Sequence, residues 1–230
     1  MAREQAIDKH RALASHPLFG QLSEDERERL AMYMRAARHP ARHTLFEKGD
    51  PGSSMVLILR GRVKICTHSD EGKELVLNLV RPGEFFGEIA LLDGAERTAD
   101  AVTLDPVECL VLERRDFIPF LERHPEACMR LMGVLCERLR RTSELVEELL
   151  FLEGEARLAK RLVRLAEIFG REVEDGIRID LRLSQQQLGN MVGMSRESMN
   201  KQLGQWRRDD LVRVSEGFIT ITDLDRLREI

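Results

Sequence analysis

The chain is poor in the residues that would commit it to several common classes. Four cysteines, Cys66, Cys109, Cys128 and Cys136, are scattered with no C-x-x-C pair, which speaks for reduced thiols rather than a disulfide framework or a closed metal site. The six histidines, at 10, 16, 39, 43, 68 and 124, show no ligand spacing, and no metal is expected. No G-x-S-x-G elbow, H-E-x-x-H or P-loop occurs, so the chain does not read as an enzyme. No run approaches the ~20 apolar residues of a membrane span. The opening MAREQAIDKHRALASH carries no apolar signal-peptide stretch, and a cytoplasmic protein without membrane contact is expected. A basic excess is missing too, the net charge being −4. An acidic total can still hide a local basic face, so nucleic acid is not excluded.

What is present is an ordinary soluble composition, 43% hydrophobic and 33% charged over 230 residues, enough for about one or two domains with their own cores. Residues 5–37 read as short helices, and Ser23 with Glu26 forms a capping-box start for a helix to about Ala37. From His43 the texture changes to short β-type runs: MVLIL (55–59), VKICTHS (63–69), ELVLNLV (74–80), DAVTL (100–104) and VECLVLE (107–113). Turn signals separate them, among them Gly61 and Pro82-Gly83, and the spacing suggests a sandwich or barrel-like domain. Asp116 is placed to cap a short helix, FIPFLERH, stopped at Pro125.

A long helix is expected from about Glu126 to Leu152. Its residues Cys128, Met132, Leu135, Leu139, Thr142, Val146 and Leu149 are spaced 4, 3, 4, 3, 4, 3, a heptad seam for a dimer coiled coil. A helix packed on its own domain shows similar spacing. Thr142 is the polar member of the seam, and Ser143 follows it. From Glu153 the chain is helical to Gly170, and it closes on two strands, VRVS and FITI, joined at Glu216-Gly217.

Two segments carry chemistry. In GEFFGEIALLDGAERTADA (83–101), Gly87 allows close backbone approach, and N–H groups opening a short helix can cradle an anion. Arg97 offers a charged fork for phosphate, Thr98 a hydroxyl, and Glu88 an acceptor for sugar hydroxyls. In isolation these residues are equally a glycine turn and a surface arginine. In LSQQQLGNMVGMSRESMNKQLGQWRRDDLV (183–212), Ser184 caps one helix with Leu188, Met191 and Val192 inward. Gly193 makes the turn, and Ser195 caps a second helix with Met199, Leu203 and Trp206 inward. That is a helix-turn-helix, with Arg196, Glu197, Asn200 and Lys201 on the exposed side that would face base edges. Residues 196–208 hold four basic side chains against one acidic, whereas 153–230 balance at fourteen each, so any positive footprint is local.

The first segment resembles the phosphate-binding cassette of cyclic-nucleotide-binding domains, F-G-E-I-A-L-L followed by R-T-A. The second resembles the S-R-E-x-x-x-[RK] recognition helix of the cAMP receptor protein (CRP/FNR) family, and the similarity runs over almost the whole chain. It implies an α+β fold: a cyclic-nucleotide-binding β-roll (double-stranded β-helix or jelly roll) over 1–125, a dimerisation helix over 126–152, and a winged helix-turn-helix over 153–230. It further implies a ligand set of Gly87, Glu88, Ile89, Ala90, Arg97, Thr98 and Ala99, with Glu88 on the ribose and Arg97 and Thr98 on the cyclic phosphate. Thr142 and Ser143 are implied at the base. The implied DNA contacts are Ser184, Gln185, Gln186, Ser195, Arg196, Glu197, Asn200 and Lys201.

The implied effector is cAMP, with cGMP a competitor because of the Thr98 hydroxyl. The implied partners are double-stranded DNA, a second copy in a homodimer, and RNA polymerase. Two departures stand out: Lys201 puts a point charge where an arginine fork is commoner, and Gln185 stands where a basic phosphate contact is expected. A regulator sensing redox state or haem would need Cys66 or His68.

Overall fold

A computed structural model describes residues 8–14, 16 and 18–230, so the expectation of helix at residues 5–7 lies outside the described residues. The chain divides into two compact units, Met1–Thr67 with Leu77–Leu139 and His68–Val76 with Arg140–Ile230. In order, the elements of the first half are α1 (Lys9–Ala14), α2 (Glu24–Tyr33), β1 (Arg35–His39), β2 (Thr44–Phe46), β3 (Ser54–Arg60), β4 (Val63–His68), β5 (Glu74–Val80), β6 (Phe85–Phe86), α3 (Glu88–Asp93), β7 (Asp100–Thr103), β8 (Val107–Glu113), α4 (Arg114–Arg123) and the long α5 (Pro125–Phe151). The strands form two four-stranded sheets, ordered β1-β8-β3-β6 and β2-β7-β4-β5.

The period-two rule explains why β3, MVLIL with no polar break, sits where it does. Met55 and Leu57 point to one side, into a cluster with Leu13, Leu30, Phe117 and Leu131 from the helices. Val56 and Ile58 point to the other, between the sheets, with Val63, Val80, Phe86, Cys109 and Val111. Each such side chain contributes roughly 1.5–3 kcal/mol by leaving water, so this strand is the shared wall of two cores. β8 repeats the pattern, with Leu110 and Leu112 helix-side and Cys109 and Val111 between sheets.

Two sequence expectations are corrected here. The helix opened by the Ser23–Glu26 capping box is present, but it ends at Tyr33 and not near Ala37. Residues 35–39 instead pair antiparallel with β8, Arg35 opposite Val111 and His39 opposite Val107. RAARH has no strong strand propensity, and the open edge of β8 outweighs it, tertiary pairing overriding local preference. Asp116 is not a cap either. Helix α4 starts two residues earlier, behind an N-cap Glu113 that makes no side-chain cap bond, with Asp116 in its first turn.

The second unit contains α6 (Gly154–Phe169), β9 (Gly170–Val173), β10 (Gly176–Ile179), α7 (Gln185–Val192), α8 (Arg196–Arg208), β11 (Val212–Ser215), β12 (Phe218–Ile221) and α9 (Leu224–Arg228). Its sheet runs β11-β12-β10-β9. Helix α6 buries Leu158, Leu162 and Leu165 at helical spacing, which gives α7, α8 and the sheet an apolar floor. The β11–β12 wing closes at Glu216 (φ 52°) and Gly217 (φ 83°), two left-handed residues of the kind that match a tight hairpin to strand twist.

Candidate functional site

The cassette is built from β6 outward. Phe85 and Phe86 pair with Leu57 and Val56 of β3, which fixes Gly87 at the sheet edge. Gly87 is left-handed, φ 82°, and starts α3 without a side-chain cap. A Cβ there would lie 2.6 Å from Arg97 Nη1, so the glycine is required twice over, by its backbone angle and by the arginine against it.

Arg97 is buried to 6% exposure. Its Nη1 donates to Ser54 O at 2.7 Å and Gly87 O at 2.9 Å, and its Nη2 to Ser54 Oγ at 3.1 Å. The guanidinium lies 4.1 Å over the Phe46 ring, itself packed on Phe86. Burial pushes the guanidinium pKa below its ordinary value, against the pull of Asp50, Glu113 and Glu88. Its Nε is buried with no hydrogen-bond partner among the described residues. An orphaned buried donor costs ~1–3 kcal/mol, a penalty that an incoming acceptor would relieve.

Glu88 is 2% exposed, and its Oε1 lies 2.5 Å from Arg138 Nη1. Arg138 also donates to Phe85 O and stacks 4.8 Å over the Phe85 ring. Sequence reasoning missed Arg138, although it stands one helical turn before Thr142. Of the remaining cassette residues, Ala90 and Ala99 are buried, while Ile89 and Thr98 are exposed. The structure thus brings Gly87, Glu88 and Arg97 together, with Thr98 and Ala99 following in the chain. Thr142 and Ser143 belong to the second unit, where both are exposed on α5. Along the same helix Met132, Leu139 and Val146 are exposed at 45%, 68% and 49%, and Cys128, Leu135 and Leu149 are half-buried. Met129, Leu150 and Phe151 widen this apolar face.

In the second unit, Ser184 and Gln187 make a reciprocal capping box at the start of α7. Gly193 ends that helix at φ 69°, and Ser195 Oγ accepts from Ser198 N. The inward residues Leu188, Met191, Val192, Met199, Leu203 and Trp206 are all buried. Arg196, Glu197, Asn200 and Lys201 are exposed, as a groove-reading face requires. Gln185 Nε2 donates to Asn200 Oδ1 at 3.1 Å, joining the two helices at that face, and Gln186 pairs with Asn190. The wing is tied to the entry of α7 by Leu183 N donating to Gly217 O at 2.9 Å.

Among the described residues no group of three or more His, Cys, Asp and Glu is placed to hold a metal ion, and no helix is long and apolar enough to cross a membrane. A β-roll whose glycine-opened helix packs on a buried arginine, together with a winged helix-turn-helix, is the architecture of a DNA-binding transcription regulator.

Comparison with known proteins agrees. The cyclic nucleotide-binding domain pattern matches residues 37–124 and the Crp-like helix-turn-helix domain pattern residues 156–230. The CRP-like cAMP-activated global transcriptional regulator of Mycobacterium tuberculosis is 33% identical over 188 residues, 82% of this chain and 84% of that one. The cyclic AMP receptor protein of Thermus thermophilus is 30% identical over 214 residues, 93% of this chain and 96% of that one. Among solved structures, the c-di-GMP responsive global regulator CLP of Xanthomonas campestris matches with a TM-score of 0.78 at 25% identity, covering 87% of this chain and 100% of that one. The chain belongs to the CRP/FNR family of transcription regulators.

Proposed function

We propose that this protein is a homodimeric, cAMP-responsive regulator of the cytoplasm that binds two-fold symmetric operator DNA through helix 196–207 and works with RNA polymerase. The observation that carries the effector reading is Arg97, a buried cation with an orphaned Nε, packed against a glycine that has no room for a side chain. A cyclic phosphate supplies the missing acceptor, with Thr98 beside it. Glu88 takes the ribose hydroxyls, and Thr142 with Ser143 takes the base, as the family resemblance implies. The homodimer is supported by the exposed apolar face of α5, a stripe that a soluble protein gains by covering.

The nucleotide shifts the regulator only by its differential affinity for two states, typically ~1–3 kcal/mol of coupling. cGMP is the second reading, favoured by the exposed Thr98 hydroxyl. Against a haem or redox sensor, Cys66 is fully buried and His68 Nε2 lies 3.6 Å from a Glu74 carboxylate oxygen. The test is a titration of the protein onto a library of two-fold symmetric duplexes with no nucleotide, cAMP or cGMP at fixed salt. Tight binding with one nucleotide alone names the effector. Equal binding in all three conditions removes the cyclic-nucleotide switch and leaves the DNA-binding regulator standing.

A further inference from the structure

Trp206, the chain's one tryptophan, is 1% exposed on the inner face of α8. Its indole N–H donates to Glu155 Oε1 at 2.9 Å. The same oxygen accepts from Gln202 Nε2 at 2.8 Å. Gln202 and Trp206 are four residues apart, so they stand one above the other along α8. Glu155 is the second residue of α6, just past the end of α5 at Phe151. One carboxylate oxygen at the start of α6 therefore holds the recognition helix at two successive turns.

Both donors lie on one face of α8 and converge on one oxygen, so together they restrain the roll of the helix about its axis and its slide along it. The exposed row Arg196, Glu197, Asn200 and Lys201 lies on that same helix, so its aim depends on the anchor. Arg157, two residues beyond Glu155, grips the other helix of the motif. Its Nε donates to Val192 O at 2.8 Å and its Nη1 to Leu152 O at 2.6 Å. The bend between α5 and α6 is thus tied to α7 through Arg157 and to α8 through Glu155. The first turn of α6 is also where the helix dipole favours a carboxylate.

We propose that Glu155 is a positioning residue for DNA recognition, setting the roll of α8 and with it the aim of the base-reading side chains. The experiment uses the full chain, a symmetric duplex selected by the wild type from a random library, and a random-sequence duplex, in the nucleotide condition that gives the wild type its tightest binding. Glu155→Ala leaves the buried indole N–H without an acceptor and is expected to weaken binding to the selected duplex about tenfold. Binding to the random duplex and its salt slope are expected to stay near wild-type values, because the basic side chains that neutralise phosphates are all retained. Trp206 emission shifts as its environment changes. Glu155→Gln keeps an acceptor oxygen and is expected to remain within about twofold of wild type.

Equal loss on both duplexes, wild-type selectivity in Glu155→Ala, or a Glu155→Gln protein as impaired as Glu155→Ala would each overturn the assignment. If Glu155→Ala does not fold, Gln202→Leu decides, since it removes one of the two donors and leaves the carboxylate in place. A selective loss on the chosen duplex then supports the anchor, and unchanged selectivity overturns it.

Discussion

Replacing Gly87 by alanine separates two demands that the structure makes of that position. Both Gly87 and Gly83 are left-handed, at φ 82° and 83°, and either alanine is expected to cost about 1 kcal/mol for that conformation. They differ in surroundings. Among the described residues a Cβ at Gly83 meets nothing within 4 Å, whereas one at Gly87 lies 2.6 Å from Arg97 Nη1 and 3.1 Å from Ser54 O. The guanidinium must withdraw, and Nη1 loses its bonds to Gly87 O or Ser54 O. A hydrogen bond from a charged donor contributes roughly 1.5–3 kcal/mol, which brings the expected cost of Gly87→Ala to about 2.5–4 kcal/mol. Urea unfolding of both variants measures the stabilities, and calorimetric titration with cAMP measures the site. Gly83→Ala is expected to bind cAMP as the wild type does, and Gly87→Ala at least tenfold more weakly, about 1.4 kcal/mol. Equal destabilisation by the two alanines, with wild-type cAMP affinity in both, would refute the reasoning.

Three further outcomes are expected. His16 is 4% exposed, accepts from Leu18 N through Nδ1 at 3.1 Å, and is held by burial at a pKa of about 4. The unfolded chain takes a proton below about 6.5, so stability present above that pH is lost as pH falls toward 4, by roughly 3 kcal/mol. Urea midpoints across that range should show the loss, and His16→Phe should flatten it. Leu139→Asp puts a charge on the exposed apolar seam and is expected to convert the proposed dimer to monomer at micromolar concentration by light scattering; an unchanged mass would remove this face from the interface. Glu197→Ala is expected to flatten discrimination at one base pair by ~1–3 kcal/mol, with non-specific affinity intact, as read by competition among single-base variants of the selected duplex.

How much was legible beforehand follows from how local each feature is. The helix-turn-helix was readable because Ser184, Gly193 and Ser195 mark its ends by their own chemistry, and Leu188, Met199 and Trp206 keep a helical period. The cassette was readable because Gly87, Glu88 and Arg97 fall within eleven residues. What holds Arg97 was not: Ser54 is 43 residues away, and nothing in its neighbourhood marks it as a partner for an arginine. Arg138 was within reach of a spacing argument, since it shares a helix face with Thr142, but its partner Glu88 lies on another element. Strand β1 was hidden by composition, because two arginines, two alanines and a histidine describe a helix as well as a strand until β8 offers an edge. Glu155 was hidden for the same reason as Ser54, its two donors lying 47 and 51 residues along the chain.

Ser54 opens β3, the strand walled by core on both sides. Amides of core strands are among the last to exchange with solvent, and Arg97 is hydrogen-bonded to the first residue of such a strand. Gly87, across the guanidinium, is a jointed backbone with no side chain to brace it. The guanidinium is thus held between a core strand on one side and a glycine-opened helix on the other, and the second is expected to be the more yielding. If the proposed cyclic phosphate binds at Arg97, it meets the core-strand side, and the α3 side, with Glu88 held by Arg138, is where a response is expected. Deuterium uptake on adding nucleotide should therefore fall along 87–93 while 54–60 stays as slow as before.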